Sequence, residues 1–283
     1  MNSLTPFILA KIARKQVYRN ILDGLNGLHQ QEVHRGQGYL PNFIIIGAAK
    51  SATTTLATIL PRHPDCFISH PKEPKFFGRR YDRGWSWYRK IFRPGRGYLL
   101  RGEASTMYAS PLGSFRYTPQ LIHHCLPDVK IVYVVRHPLD RLVSHWRHLK
   151  GRRPGFVRFD QILSKRHPSK LLIGCSSYYA RIQEFRRFFP DDQIHCLTFE
   201  DLISEPTLVL SALLKFLGAP ILPDFLLDEG RLPVVNEAGD KGRTYVGLPE
   251  WPVGMRKKVV DLLRPDAESF LSYIGKPQDY WTW

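Results

Sequence analysis

The chain has 283 residues, 43% of them hydrophobic and 12% aromatic, enough to bury a sizeable core and ordinary for one α/β domain with elaborations. Lys and Arg number 41 against 25 Asp and Glu, a net charge of +16, which favours an anionic partner: nucleic acid, a membrane surface, a nucleotide, or a sulfated or phosphorylated substrate. Cys66, Cys125, Cys175 and Cys196 are scattered without a C-x-x-C pair, so neither zinc nor a dense disulfide framework is indicated and a reducing cytosol is the simpler expectation.

Residues 1–40 read as a basic helical extension and linker ahead of a main domain at 41–283. The apolar patch at residues 7–10 is too short to span a membrane and too brief for a signal-peptide core. Ile8, Leu9 and Ile12 lie opposite Lys11, Arg14, Lys15 and Arg19, a pattern that suits an anionic membrane surface, although a surface helix packed on the domain is the simpler reading. Residues 23–38, rich in Gly, Asn, Gln and His, read as a loop.

The sheet is predicted to begin at residues 43–46, four apolar positions in a row, and the chain then passes through Gly47, two alanines, Lys50 and Ser51 into the hydroxyl-rich start of a helix. Strand, small-residue loop and helix start make an anion site, because the amides at a helix N-terminus face the ligand and small residues let a phosphate approach. Lys50 adds a full charge. The loop is not a Walker motif: Lys50 comes three residues after Gly47, and no second glycine precedes it. A turn of this kind also occurs in α/β proteins that bind nothing there.

A short strand at 66–68 leads into SHPKEPKFF, residues 69–77, where prolines stiffen a loop carrying His70, Lys72, Glu73 and Lys75. A carboxylate between two lysines stays ionised and can accept a proton from a hydroxyl, yet the same trio also suits a surface ion pair. Trp85, Trp87, Tyr88 and Phe92 supply aromatic bulk for a sugar or ring-bearing acceptor, or simply for the core. A strand is predicted at 98–100, with Gly102, Glu103, Ala104, Ser105 and Thr106 in the loop at its C-terminal end.

After a helix at 119–125, the apolar strand at 130–135 ends in Arg136. A Walker-type kinase or hydrolase ends this strand in an Asp that holds Mg²⁺. A guanidinium instead clamps a second phosphate bidentately. Pro138 opens a helix with Leu139, Leu142, Val143, Trp146 and Leu149 on one stripe, and Ser144 off that stripe two turns from Arg136. A helix at 176–189, a strand at 194–198 and a further helix after Glu200 and Asp201 complete an alternation that predicts an α/β fold, a central parallel sheet flanked by helices.

These motifs resemble the sulfotransferases that use 3′-phosphoadenosine 5′-phosphosulfate (PAPS), over about residues 41–243, and look closest to the heparan sulfate branch and its soluble bacterial relatives. The resemblance implies the P-loop-like fold of that family. GAAKSATTTL is similar to the 5′-phosphosulfate loop, implying that Lys50, Ser51, Ala52, Thr53 and Thr54 line the donor. VVRHPLDRLVSHW is similar to the 3′-phosphate element, implying Arg136 and Ser144 there. KEPKFF resembles the segment carrying the acceptor base, which makes Glu73 the base and His70 its rival. Tyr179 falls in a later donor-side unit, and Lys241, Gly242 and Arg243 resemble a loop that closes over the nucleotide. His70, Lys72, Lys75, Glu103 and Trp85 are the acceptor-side candidates.

Two departures stand out. Ala104 replaces a lysine common in heparan-type members, whose role is then either absent or taken over by Lys72 or Lys75. The cysteine pair and membrane anchor of Golgi members are missing, which leads us to expect a soluble cytoplasmic enzyme. The resemblance thus implies transfer of a sulfonate to a hydroxyl or amine on a glycan, glycolipid or other small molecule, releasing the bisphosphate PAP, without a metal. The alternatives are a P-loop kinase or hydrolase, which leaves Arg136 unexplained, and a polyanion-binding protein, although zinc-finger spacing and RNP-like aromatic motifs for nucleic acid are absent.

Overall fold

The computed structural model describes residues 6–28, 30–35, 38–233, 235 and 244–283. Five parallel strands, β1 (Phe43–Gly47), β2 (Cys66–Ile68), β3 (Leu100–Ala104), β4 (Lys130–Val135) and β5 (Ile194–Thr198), form one sheet in the order β2-β3-β1-β4-β5. From β1 the chain moves to one edge, returns to β1 through β3, and then crosses to β4, so the direction of winding reverses beside β1. Ligands of open α/β sheets settle at the carboxyl end of such a switch point.

Eleven helices are described: α1 (Pro6–Leu25), α2 (Gln30–His34), α3 (Thr53–Ile59), α4 (Gly84–Phe92), α5 (Thr118–Cys125), α6 (Pro138–Arg152), α7 (Arg166–Leu172), α8 (Tyr178–Arg186), α9 (Phe199–Ser204), α10 (Pro206–Leu217) and α11 (Met255–Tyr273). Because alternate strand residues face opposite ways, Ile44, Ile46, Tyr133 and Val135 pack with α4, α5, α8 and α11. Phe43, Ile45, Val132 and Val134 pack with α3 and α10 on the other face. A third cluster joins Leu142 and Trp146 of α6 to Leu172 of α7 and to Val259 and Leu263 of α11. The expected parallel α/β sheet is therefore present.

Two expectations need correction. The third strand runs over LRGEA, so Gly102 and Glu103 lie within the sheet rather than in a loop after it. Gly102 is required there: a Cβ on it would stand 2.2 Å from the Phe43 ring of the neighbouring strand. Residues 23–38, expected as a loop, hold the end of α1 and the whole of α2, and α1 packs on the domain, the simpler of the two readings given above. Ile21 of α1 is fully buried and Val17 nearly so, in one cluster with Leu40, Tyr81 and Trp85. Glu32 of α2 pairs with Arg89 of α4 at 2.8 Å.

Truncating Ile21 tests this docking. Ile21→Ala should lower unfolding stability in a denaturant titration by about 2 to 5 kcal/mol, the cost of a buried large-to-small change. An unchanged midpoint would mean that α1 contributes nothing to the fold.

Candidate active site

The loop after β1 is clamped to the sheet at its start, where the Ala48 amide donates to the Val134 carbonyl at 2.6 Å. Gly47 leaves no room for a side chain: a Cβ there would meet the Thr106 carbonyl and the Tyr133 ring at 3.2 Å and Ala109 at 3.3 Å. Lys50 (φ 75°) and Ala52 (φ 58°) take left-handed conformations, which turn the chain sharply into α3. The first helical bond runs from the Leu56 amide to the Ala52 carbonyl at 3.0 Å, so the amides of Thr53, Thr54 and Thr55 have no acceptor inside the helix. Ser51 is fully buried, and its Oγ has no partner among the described residues. An enclosed hydroxyl without a partner costs stability, and an anion held by these amides would supply its acceptor.

The second cationic element begins where β4 ends. The Arg136 guanidinium stacks 4.7 Å from the centroid of Phe199 and stands 3.5 Å from Asp140, which is largely exposed. Its Nε is buried without a partner among the described residues. Its carbonyl accepts the Tyr178 hydroxyl at 2.6 Å, and the next amide, of His137, donates to Glu200 at 2.8 Å. The His137 ring lies 2.8 Å from the Thr282 carbonyl and packs on Trp281 and Trp283. The end of the described chain thus braces this element. Ser144 is half-buried on α6, two turns beyond Arg136.

The KEPKFF segment forms a third wall. Its backbone is pinned by the Glu73 amide to the Ala104 carbonyl at 3.1 Å and by the Lys75 amide to Ser105 Oγ at 3.0 Å. Glu73 (φ 60°) and Lys75 (φ 53°) are both left-handed. The Glu73 carboxylate receives Lys75 Nζ at 2.6 Å and the Thr106 hydroxyl at 2.7 Å, with Lys72 Nζ at 3.5 Å. Burial by itself would raise the Glu73 pKa. The two lysines and the Thr106 hydrogen bond outweigh it and hold the carboxyl below its usual value, so the group is ionised at neutral pH. Thr106 connects this wall to the first, since its carbonyl abuts Gly47 while its hydroxyl binds Glu73.

Sequence reasoning placed Lys50, Ser51, Ala52, Thr53 and Thr54 in one loop, and Glu73 between its two lysines; the structure links the two segments through Thr106, which binds Glu73 and abuts Gly47 at the head of that loop. His70 is exposed on the same loop. Trp85 needs correction: it is 3% exposed and packs among Phe76, Phe77 and Tyr88 at centroid distances of 5.0 to 6.0 Å, so it belongs to the core. Glu103 is likewise fully enclosed and accepts the Tyr88 hydroxyl at 3.0 Å, which removes it from direct contact with an acceptor. Tyr179 packs towards α11, its amide on Asp266 at 2.9 Å and its ring against Tyr273. The neighbouring Tyr178 is the residue that touches the Arg136 element. Lys241, Gly242 and Arg243 lie outside the described residues.

Two residues escaped the sequence reading. Thr106 looked like one of several small polar residues. Arg141 was not singled out in the sequence, yet it is fully buried.

Burial pushes the Glu103 pKa up to about 7, and the nearby Glu73 charge adds to it, against the pull of the Tyr108, Tyr88 and Ser105 hydroxyls. An acid with a raised folded-state pKa favours folding most below its unfolded value and loses that contribution as pH rises through the folded one. Glu103→Gln cannot ionise. Its melting temperature relative to the unaltered protein should therefore improve between the ordinary glutamate value of 4.5 and about 7, and then level off. A difference that is flat across this range would show that Glu103 is ionised throughout.

A family model described as "Sulfotransferase domain" matches residues 40–232. Human heparan sulfate glucosamine 3-O-sulfotransferase 3B1 is 30% identical over 190 residues, covering 65% of this chain and 47% of that protein. Human heparan sulfate glucosamine 3-O-sulfotransferase 6 is 30% identical over 265 residues, covering 85% and 74%. The chain thus spans about half the length of the first of these relatives. A crystal structure of a sulfotransferase from Alicyclobacillus acidocaldarius superposes with a TM-score of 0.67 at 24% identity, over 84% of this chain and 96% of that one, a likeness of fold.

Proposed function

Because the chain belongs to the sulfotransferase domain family, we propose that it moves a sulfonate group from PAPS to a hydroxyl or amine of an acceptor and releases PAP. The observation that supports this reading is the contact through Thr106, whose hydroxyl binds the ionised Glu73 carboxylate and whose carbonyl abuts Gly47 at the head of the loop after β1. The unpartnered Ser51 Oγ and Arg136 Nε fit a ligand with two separate anionic groups. When bound, the donor supplies an activated sulfonate whose leaving group is a nucleotide phosphate.

Glu73 takes the proton from the acceptor as its oxygen or nitrogen attacks. The lysines and Thr106 that keep Glu73 ionised also make it a weak base, so proton transfer falls late in the step. Lys50 and the amides of Thr53, Thr54 and Thr55 neutralise charge gathering on the leaving phosphate, as preorganised donors do. Arg136 and Ser144 fix the register of the nucleotide through its 3′-phosphate. None of these roles calls on a metal, and we propose a metal-independent reaction.

For the acceptor, the relatives named for heparan sulfate glucosamine and the net charge of +16 support a glycan, anionic ones in particular. Four free cysteines, three of them buried, suit a reducing compartment, and we propose a cytoplasmic location. Among the described residues no helix is long and apolar enough to cross a membrane.

Glu73→Gln keeps the shape of the side chain but cannot accept the proton. Turnover should fall by about a hundredfold to ten-thousandfold, while PAP affinity measured by calorimetry stays near that of the unaltered protein. The exposed His70 provides the control, since His70→Gln should change turnover far less. A crippled His70→Gln enzyme beside an active Glu73→Gln enzyme would transfer the role of base to the histidine.

Donor binding has its own test. PAP should bind equally well with EDTA present, and Arg136→Ala should weaken it by roughly tenfold to a hundredfold for each charge-assisted bond lost, at about 1.5 to 3 kcal/mol per bond. Binding that requires magnesium, or an Arg136→Ala variant that binds normally, would refute this nucleotide site.

A further inference from the structure

Beneath the anion loop lies a charge that the roles above leave unused. The Arg141 side chain on α6 is completely enclosed. Its Nε donates to Ser176 Oγ at 2.7 Å and its Nη2 to the Leu172 carbonyl at 2.6 Å. Its Nη1 reaches His145 Nδ1 at 3.0 Å and the Ala49 carbonyl at 3.4 Å. All four partners are neutral groups, and among the described residues Arg141 forms no ion pair with a carboxylate. Burying a cation without an anion is costly, and proteins rarely leave one so.

The surroundings deepen the imbalance. His145 is also buried, and its pKa is held well below the usual value by burial, by Arg141, by His148 and by Lys50. The ring is therefore neutral, with Nδ1 accepting from the guanidinium and the proton on Nε2. No counter-charge comes from that side. Ala49 immediately precedes Lys50, so the guanidinium holds the loop through its backbone.

We infer that Arg141 is a positioning residue whose charge, without a carboxylate partner among the described residues, is matched by the 5′-phosphate side of the donor, and that it favours ligands carrying that phosphate while holding the Ala49–Lys50 turn in place. The inference rests on the function proposed above. It assigns the buried arginine a task separate from that of Arg136, which addresses the 3′-phosphate. A full charge acting across several ångströms of protein at an effective dielectric near 20 corresponds to about tenfold to thirtyfold in affinity.

The test compares two ligands that differ only by the 5′-phosphate: PAP and adenosine 3′-monophosphate. Affinities are measured by calorimetry on the unaltered protein, on Arg141→Met, which removes the charge, and on Arg141→Lys, which keeps it without the three-way fork. Thermal melts without ligand report folding. Failure of the unaltered protein to bind PAP would sink the proposed function itself rather than this inference.

If the unaltered protein binds PAP, Arg141→Met should lose about tenfold or more of its preference for PAP over the monophosphate, while the monophosphate binds within about threefold of normal. Arg141→Lys should keep most of the preference. Loss of the charge alone need not weaken the ligand-free fold, because removing an unpaired buried cation relieves its desolvation cost. Equal losses in the Met and Lys variants, equal losses for both ligands, or an unchanged preference would each overturn the inference. Should Arg141→Met fail to fold, the neutral donor variant Arg141→Gln replaces it. If that also fails, the guanidinium is a requirement of the fold alone and the inference falls.

Discussion

Gly47 stands where the ends of three strands converge, with the Thr106 carbonyl, the Tyr133 ring and the Ala109 methyl each within about a van der Waals contact of a missing Cβ. The absent side chain lets the loop after β1 lie directly against the segment after β3. That segment carries Thr106, and Thr106 holds the Glu73 carboxylate. A larger residue at position 47 would have to push one of the three walls away. The distance from anion loop to base would then no longer be set by the sheet. Parallel pairing on both sides of β1 makes the arrangement possible, since only parallel neighbours deliver all their carboxyl ends to the same edge.

The loops at this edge carry strain that the sheet supports. Five non-glycine residues among those described have φ above zero, and four of them, Lys50, Ala52, Glu73 and Lys75, line the candidate site. Each such residue costs of order 1 to 3 kcal/mol and persists only where its surroundings over-determine it. Here the restraints are visible: Ala48 on Val134 and Ser51 on Ala48 for the first loop, Glu73 on Ala104 and Lys75 on Ser105 for the second. Both lysines of the second loop converge on Glu73, Lys75 from the left-handed position two residues on.

This distribution explains which parts the sequence made legible. Strands β1 and β4 are buried on both faces, and a buried parallel strand reads as an unbroken apolar run, as in FIII and IVYVV. The third strand hid because its residues satisfy local demands of the site: Gly102 yields to the Phe43 ring, and Glu103 faces the hydroxyls of Tyr88 and Tyr108. A charged residue and a glycine in succession read as loop. The docking of α1 was hidden differently, because it rests on Val17 and Ile21, two apolar positions one turn apart that a free surface helix would also show. Trp85 was misplaced since composition cannot tell an aromatic that stacks on a ligand from one that fills a core. Tyr178 and Arg141 act through partners remote in sequence, at Arg136 and at Ala49 and Leu172, and no local pattern records such pairings.

The two carboxyls of the site have the same chemistry and opposite surroundings. Glu73, a quarter exposed and gripped by two ammonium groups, is held down and ionised. Glu103 is sealed among tyrosines with no cation, and burial raises it to about 7. Had the lysines sat one strand deeper, the preferences would be exchanged. The negative charge would then be buried beneath the loop, where it could not meet an acceptor. Environments that drive like groups apart are how one fold assigns acid and base roles. The same reasoning governs the cations: Lys72 and Lys75 are spent on Glu73, whereas among the described residues Arg136 has one largely exposed aspartate at 3.5 Å and Arg141 has no acid at all. The partly unsatisfied guanidinium of Arg136 and the buried hydroxyl of Ser51 therefore stand at the carboxyl end of the sheet, and a ligand with two anionic groups is the form of partner that would complete both.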